Sequence, residues 1–311
     1  MAVKWTADRI PDQQGRTAIV TGANSGLGFV TARELARAGA QVVLACRNLE
    51  KGNAAANQIR AACPGAVLQL EELDLGSLDS IRAFADRFES SHDRLDLLIN
   101  NAGLMATRRR VTADGFETQI GTNHLGHFAL TGRLISKLEG RDDARVVTVS
   151  SGAHRMGRIN FDDLQGERRY FRWRAYGQSK LANLLFAFEL DRHLRAAGST
   201  VKSLAAHPGY SATNLQSTGP PVLDRLVMVV TNRLMAQSVE MGALPILYAA
   251  TEPGLEGGTY FGPDGPGEQR GHPTRVGSSA AARDEAVARR LWDVSEELTG
   301  VRFEFGADAR G

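Results

Sequence analysis

The stretch Ala175-Tyr176-Gly177-Gln178-Ser179-Lys180 places a phenol and an ammonium four residues apart. At helical spacing the two share a face, within reach of one ligand. A free tyrosine, with a pKa of about 10, is a poor acid or base at neutral pH. A nearby ammonium favours the phenolate and lowers that value. The chain has five tyrosines and five lysines (Lys4, Lys51, Lys137, Lys180 and Lys202). One accidental Tyr-x-x-x-Lys match is then expected about one time in ten. The bland alternative is an amphipathic helix with an exposed lysine. Upstream, Ser150 and Ser151 end the apolar run "RVVTV". A serine hydroxyl there can hydrogen-bond a carbonyl oxygen and stabilise charge developing on it. Strand alternation lets only one of the two face a site.

A second constellation lies near the start. Thr21 to Gly28 reads "TGANSGLG", between the strand-like run Thr17–Val20 and a helical pattern from Leu27 to Ala38. Glycines at a strand-to-helix turn let the chain bend sharply and let an anion approach the helix N-terminus. The spacing is G-x-x-x-G-x-G rather than G-x-G-x-x-G, and a purely structural turn is the competing reading. The next strand ends at Cys46-Arg47. An acidic residue there would accept from an adenosine ribose and repel a 2′-phosphate. A neutral cysteine followed by arginine suits the phosphate of NADP instead. The alternative is that Arg47 only meets solvent.

These residues need a scaffold, and the pattern supplies one. Strand-like runs lie at 16–21, 41–46, 67–73, 95–100, 144–150, 200–206 and 257–261. Helical patterns fall near 27–39, 48–62, 77–90, 112–139, 173–197, 238–251 and 280–299. Alternation of nearly continuous apolar strands with helices predicts an α/β fold: a Rossmann-like, doubly wound parallel sheet with helices on both faces. No repeat or Pro-rich linker divides the 311 residues, so a single domain over 1–311 is expected. Its core spans about 15–265, and 266–311 form a C-terminal loop and helix. The weakest ordering signals, 152–172 and 210–236, follow predicted strands and are the expected substrate-facing loops.

Composition excludes several classes. Hydrophobic residues make up 42% and charged residues 23%, an ordinary globular balance. A net charge of +2 gives no ground for nucleic-acid binding. Two cysteines support neither a disulfide framework nor a zinc cluster, which suits a reduced cytoplasmic home. No signal peptide or membrane span is read. His124 and His127 have helical metal spacing but no evident third ligand, so no metal is expected. The arginines and aromatics of "ERRYFRWR" (167–174) read as a solvated loop or pocket rim. Cys46 reads as a small neighbour of the adenosine phosphate rather than a redox sensor.

Together these motifs resemble the short-chain dehydrogenase/reductase family over roughly residues 15–265. The likeness rests on Thr21-Gly22-x-x-x-Gly26-x-Gly28, Asp74-Leu75, Asn100-Asn101-Ala102-Gly103, Asn123, Ser151, Tyr176-x-x-x-Lys180 and Pro208-Gly209. "ACRNLEKG", "TNHLGHFALT" and "SKLANLLFAFEL" look more narrowly like its retinol-dehydrogenase-like, NADP-using branch.

The resemblance implies an NADP(H)-dependent oxidoreductase that moves a hydride between nicotinamide and a carbonyl or alcohol, with a lipophilic aldehyde or ketone as substrate class. It implies a catalytic set of Asn123, Ser151, Tyr176 and Lys180. Tyr176 handles the proton, Lys180 holds the nicotinamide ribose, Ser151 polarises the carbonyl, and Asn123 holds a relay water at a helix irregularity. Gly22, Asn24, Ser25, Gly26, Leu27 and Gly28 would cradle the pyrophosphate, with Arg47 and Asn48 at the adenosine phosphate. Asp74 and Leu75 would border adenine, and Asn101, Ala102 and Gly103 the ribose. Pro208, Gly209, Ser211 and Thr213 would cover the nicotinamide. Leu223, Leu226, Val227, Met228 and Val230 suggest an apolar lid or an interface. A homodimer or homotetramer is expected through 112–139 and 173–197, where Leu125, Phe128, Leu130, Leu181, Leu184 and Phe186 exceed what one helix face needs. Competing readings are a catalytically silent cofactor sensor, which would dispense with the tyrosine or lysine, and a sugar-nucleotide epimerase, which usually shows another glycine spacing.

Overall fold

The structure, a computed structural model, describes residues 4–209 and 237–306. Six parallel strands carry the early part of the chain: β1 (Thr17–Thr21), β2 (Gln41–Cys46), β3 (Leu68–Glu72), β4 (Leu97–Asn100), β5 (Arg145–Val149) and β6 (Lys202–Ala206). β7 (Tyr260–Pro263) continues the parallel sheet, and β8 (Pro273–Arg275) closes its edge antiparallel. The order is β3-β2-β1-β4-β5-β6-β7-β8. Chain direction across the sheet reverses between β1 and β4, the switch point where such sheets bind ligands. The doubly wound α/β expectation therefore holds.

Alternate residues of each strand feed two helical layers. Ala18 and Val20, Val42 and Leu44, and Leu97 and Ile99 pack with α1 (Gly26–Arg37), α2 (Leu49–Ala62) and α7 (Val239–Thr251). Ile19, Val43 and Leu98 pack with α3 (Leu78–Ser91), α5 (Gly126–Leu138), α6 (Arg172–Ala196) and α8 (Glu285–Thr299). Burying each such side chain contributes about 1.5–3 kcal/mol before entropy is counted. This two-sided cover is why the strands read as unbroken apolar runs.

Three expectations need correction. The helix anticipated from 112 begins only at α4 (Thr118–Ile120). Gly115, with a φ of 84°, turns the preceding chain back so that Thr112 N donates to Phe116 O. The Glu117 carboxylate then caps the helix by accepting from Gln119 N and Ile120 N. The Gly/Pro-rich stretch "FGPDGPGEQRGHP" (261–273), whose composition predicts a surface loop, is not all loop, because its ends fall in β7 and β8. Two prolines hide that hairpin from pattern reading: Pro263 lies past the β6–β7 pairing, and Pro273 starts the edge strand β8, which tolerates it.

The third correction concerns the apolar surplus read as an interface. Leu125, Phe128, Leu130, Leu181, Leu184 and Phe186 are all at most 2% exposed within one chain. Their covers are α8 and the segment after it: Trp292 sits 5.0 Å from the Phe128 ring centroid, and Phe303 4.9 Å from it. The apolar surplus on these helices is consumed internally, so it is no argument for an oligomer.

One buried cation fastens the base of the sheet. Arg145, at the start of β5, is 0% exposed. It donates to Ala249 O at 2.9 Å and Glu252 O at 2.8 Å, the uncapped carbonyls at the end of α7, and pairs with Asp143. Replacing it by methionine keeps bulk but strands those acceptors. Arg145→Met is expected to cost about 3–5 kcal/mol, read as a lowered denaturation midpoint in urea. A loss under about 1 kcal/mol would refute this account of the clip.

Candidate active site

The C-terminal ends of β1, β2, β4, β5 and β6 open on one cavity of about 730 Å³. At its floor, Gly22 and Gly26 take φ values of 67° and 58°, which L-residues with side chains avoid. A Cβ on Gly28 would lie 2.5 Å from both Gly22 O and Asn101 Nδ2, so only glycine lets α1 approach β4 this closely. Ser25 stands at the N-cap of α1 without a side-chain capping bond. The first residues of α1 therefore lack a side-chain cap and line the cavity, the arrangement a phosphate fits.

Gly22, Asn24, Ser25, Gly26, Leu27, Gly28, Arg47, Asp74, Leu75, Asn101, Ala102 and Gly103 all line this cavity. So do Ser151, Tyr176, Lys180, Pro208 and Gly209. Arg47, with a 71% exposed side chain, lies 4.0 Å from Asp74 Oδ2 at the outer rim. Two residues depart from expectation. Asn48 is spent as the cap of α2, accepting from Lys51 N at 2.8 Å, and does not face the cavity. Asn123 lies behind the wall rather than in it. Ser211, Thr213 and the apolar residues 223–230 lie outside the described residues.

Asn123 occupies a π-helical turn, Gly121–Leu125, between α4 and α5, where Gly126 N reaches Gly121 O. This is the irregularity that the sequence reading anticipated. Its side chain is fully used: Oδ1 accepts from Leu104 N at 2.7 Å, and Nδ2 donates to Leu104 O and Ser179 Oγ, each at 2.9 Å. Asn123 thus pins the loop after β4 to α6.

Tyr176 and Lys180 leave the first turns of α6 on one face, as their spacing required. The Lys180 ammonium is 5.9 Å from the Tyr176 ring centroid and donates to Val149 O at 3.1 Å. Both serines touch the cavity, but the Ser150 hydroxyl is spent on Lys180 O at 2.7 Å, which leaves the Ser151 hydroxyl beside Tyr176. Ser151 Oγ accepts from Ala153 N, and its carbonyl accepts from His154 Nδ1 at 2.7 Å. Burial dominates the electrostatics. It raises the Tyr176 phenol, partly offset by hydrogen bonding to Ser151, and pushes Lys180 down to about 8. The Tyr176 shift is upward and led by desolvation, so the lowering by its lysine expected from spacing is not seen.

Sequence reading missed several cavity residues. Arg155, Met156, His207, Glu268 and Gln269 also line the cavity. Trp173 meets the Tyr176 ring edge-on at 6.3 Å, which places the "ERRYFRWR" stretch at the pocket rim. Glu268 pairs with Arg155 at 3.0 Å. Its other oxygen lies 3.2 Å from His207 Nε2, off the line of a hydrogen bond. His207, then burial and Arg155, set the balance that holds the Glu268 carboxyl below its usual range. The Arg155–Glu268 pair joins loops 113 residues apart and leaves no local signal.

The tempting residues take structural places. His124 Nε2 meets Ser295 Oγ at 2.9 Å, and His127 bonds Thr21 and Asn123. Cys46 is buried, which pushes its thiol up to about 11 and leaves it unreactive. Among the described residues no group of three His, Cys, Asp or Glu side chains could hold a metal. No helix among them is long and apolar enough to cross a membrane.

A glycine-floored cleft at the switch point of a parallel sheet, with tyrosine, lysine and serine at one end, defines a nucleotide-binding oxidoreductase site. The comparisons agree. A family profile described as short chain dehydrogenase matches residues 16–221. Mouse retinol dehydrogenase 12 is 43% identical over 295 residues, covering 93% of this chain and 88% of that protein. The crystal structure of an uncharacterized protein from Mycobacterium paratuberculosis superposes with a TM-score of 0.82 at 47% identity, covering 97% of this chain and all of the other. The Pseudomonas aeruginosa RhlG/NADP active-site complex matches with a TM-score of 0.62 at 25% identity, over 79% of this chain and 94% of that one. The chain belongs to the short-chain dehydrogenase family, on its retinol-dehydrogenase-like side.

The buried histidines behind the site imply a pH dependence. Burial pushes His124 to about 3 and His127 to about 4, below the ordinary value near 6.5. Between these values the unfolded chain binds more protons than the folded one, so stability rises with pH. The denaturation midpoint is expected to fall steadily from pH 6.5 to pH 5, before most carboxylates titrate. A flat profile across that window would mean these histidines are not buried neutral.

Proposed function

We propose that the protein is an NADP(H)-dependent oxidoreductase acting on a carbonyl or alcohol, with lipophilic aldehydes or ketones as its substrate class. One observation carries the reading: Tyr176, Ser151 and Lys180 line the same cavity as the glycine floor and Arg47. The uncapped α1 N-terminus suits a pyrophosphate, and Arg47 at the rim of β2 suits an added phosphate. The NADP named in the RhlG complex supports the same choice. When bound, the cofactor supplies or takes the hydride at the carbonyl carbon.

The chain's own residues do the rest. Tyr176 is held protonated by burial, the state required of a group that donates to a carbonyl oxygen. Ser151 presents its hydroxyl beside that phenol and steadies charge building on the oxygen. Lys180, fastened to Val149 O, would hold a ribose hydroxyl of the bound cofactor. Asn123 acts from behind by holding Leu104 and Ser179 in place. Met156 and Trp173 give the substrate end an apolar rim. The relatives named for retinol, a lipophilic alcohol, point the same way.

A panel of aldehydes and ketones, read by NADPH consumption, tests this function directly. Arg47→Ala is expected to raise the NADPH KM about tenfold with little change for NADH. That is the low end for a charge-assisted contact, because Arg47 is solvent-exposed. Equal losses for both cofactors would overturn the NADP assignment. Tyr176→Phe removes only the hydroxyl and is expected to lower kcat about 10²–10⁴-fold while NADPH binding persists. A variant that keeps more than about a tenth of kcat would place the acid elsewhere.

A further inference from the structure

His127 is fully buried, and the mechanism above assigns it no role. Its two ring nitrogens join parts of the site that the chain keeps far apart. Nδ1 lies 3.0 Å from Asn123 O, and a carbonyl can only accept, so Nδ1 carries the proton. In the neutral ring Nε2 is then a bare acceptor, 3.0 Å from Thr21 Oγ1. Thr21 Oγ1 itself accepts from Asn101 N at 2.9 Å and Ala102 N at 3.0 Å. Its single proton has two acceptors, His127 Nε2 and, at 3.2 Å, Ile99 O. The nearer is the histidine.

The path has a consequence at each end. On one side Thr21 opens the glycine turn and orders Asn101 and Ala102 along the cofactor floor. On the other, Asn123 belongs to the π turn and grips Leu104 and Ser179, while Ser179 Oγ donates to Tyr176 O at 2.8 Å. The path therefore runs from the cofactor floor through Thr21 and His127 to the Asn123 carbonyl, and on through the Asn123 side chain and Ser179 to the backbone of the tyrosine. We propose that His127 is a positioning residue that ties the dinucleotide-binding turn to the catalytic helix, so that one neutral imidazole sets both cofactor affinity and the placement of Asn123. Its tautomer is dictated by position, since reversing it would set a bare nitrogen against a carbonyl oxygen. A protonated ring would lose the acceptor that Thr21 uses.

The test uses the full-length enzyme with three substitutions. His127→Leu removes both contacts. In His127→Asn the carboxamide nitrogen occupies the Nδ1 position and keeps the bond to Asn123 O, but nothing reaches Thr21. His127→Gln extends to the Nε2 position, where its oxygen accepts from Thr21, and gives up Asn123. NADPH dissociation constants, residue-resolved amide exchange of the cofactor-free protein and kcat with nonanal are measured for each, alongside melting temperature. The expected pattern is crossed. Leu and Asn raise the NADPH Kd about 3–10-fold and speed exchange at Asn101 and Ala102, whereas Gln stays near wild type. Leu and Gln lower kcat by a similar factor and speed exchange at Leu104, whereas Asn stays near wild type. Losses that only follow melting temperature, with no crossing between Asn and Gln, would overturn the proposal, as would wild-type values throughout. If His127→Leu does not fold, the Asn and Gln pair decides alone. Failure of the wild-type enzyme to turn over nonanal speaks against the substrate class, and the binding and exchange results still decide the role of His127.

Discussion

The close approach of β1 and β4 at their carboxyl ends is the constraint on which the site depends. Thr21 Oγ1 accepts two amides from the strand opposite, and Asn101 Nδ2 returns a bond to Thr21 O at 2.8 Å. The switch point of the sheet is thereby locked rather than open. With the ends locked, α1 must begin where Gly28 has no room for a Cβ. The helix N-terminus then faces the cavity, and the anion site is a by-product of packing. A larger residue at Gly28 would push α1 away and open the floor as well as the turn.

Burial does the electrostatic tuning. Lys180, Tyr176, His124 and His127 all lie in a low-dielectric wall, and in each the shift is led by desolvation rather than by a charged partner. The lysine moves down to about 8 and the phenol moves up, so their ordinary order inverts and the ammonium gives up its proton before the phenol does. The cavity offers a proton-bearing phenol beside a weakened ammonium, an arrangement that responds strongly to any charge brought close to it. Water exclusion is therefore part of the chemistry, and the aromatic and methionine rim contributes to it.

The C-terminal segment does more than extend the fold. Trp292, Phe303 and Phe305 cover the apolar faces of α5 and α6, while Ser279 N donates to His154 Nε2 at 3.2 Å and so braces the carbonyl of Ser151. A stretch that reads as a peripheral loop and helix thus supports Ser151 through His154, 125 residues away in sequence from Ser279.

The sequence alone determined the sheet, the glycine floor and the chemical set, because each is written locally. Strand and helix periods repeat over a few residues, and Tyr176 and Lys180 share a face by arithmetic of the helix turn. Cys46-Arg47 placed a cation at the end of β2 for the same reason. What only the tertiary structure decided are contacts between residues distant in the chain. Asn48 proved to be a cap and Asn123 a brace, since hydrogen-bond partners depend on which backbone group arrives opposite. Arg155 with Glu268, and Thr21 with His127, meet only after loops from different strands converge. The surplus of apolar residues on α5 and α6 was visible in the sequence, but its meaning was not. Hydrophobic burial has no direction, and a second copy or the chain's own last helix satisfies it equally until the fold brings Trp292 there.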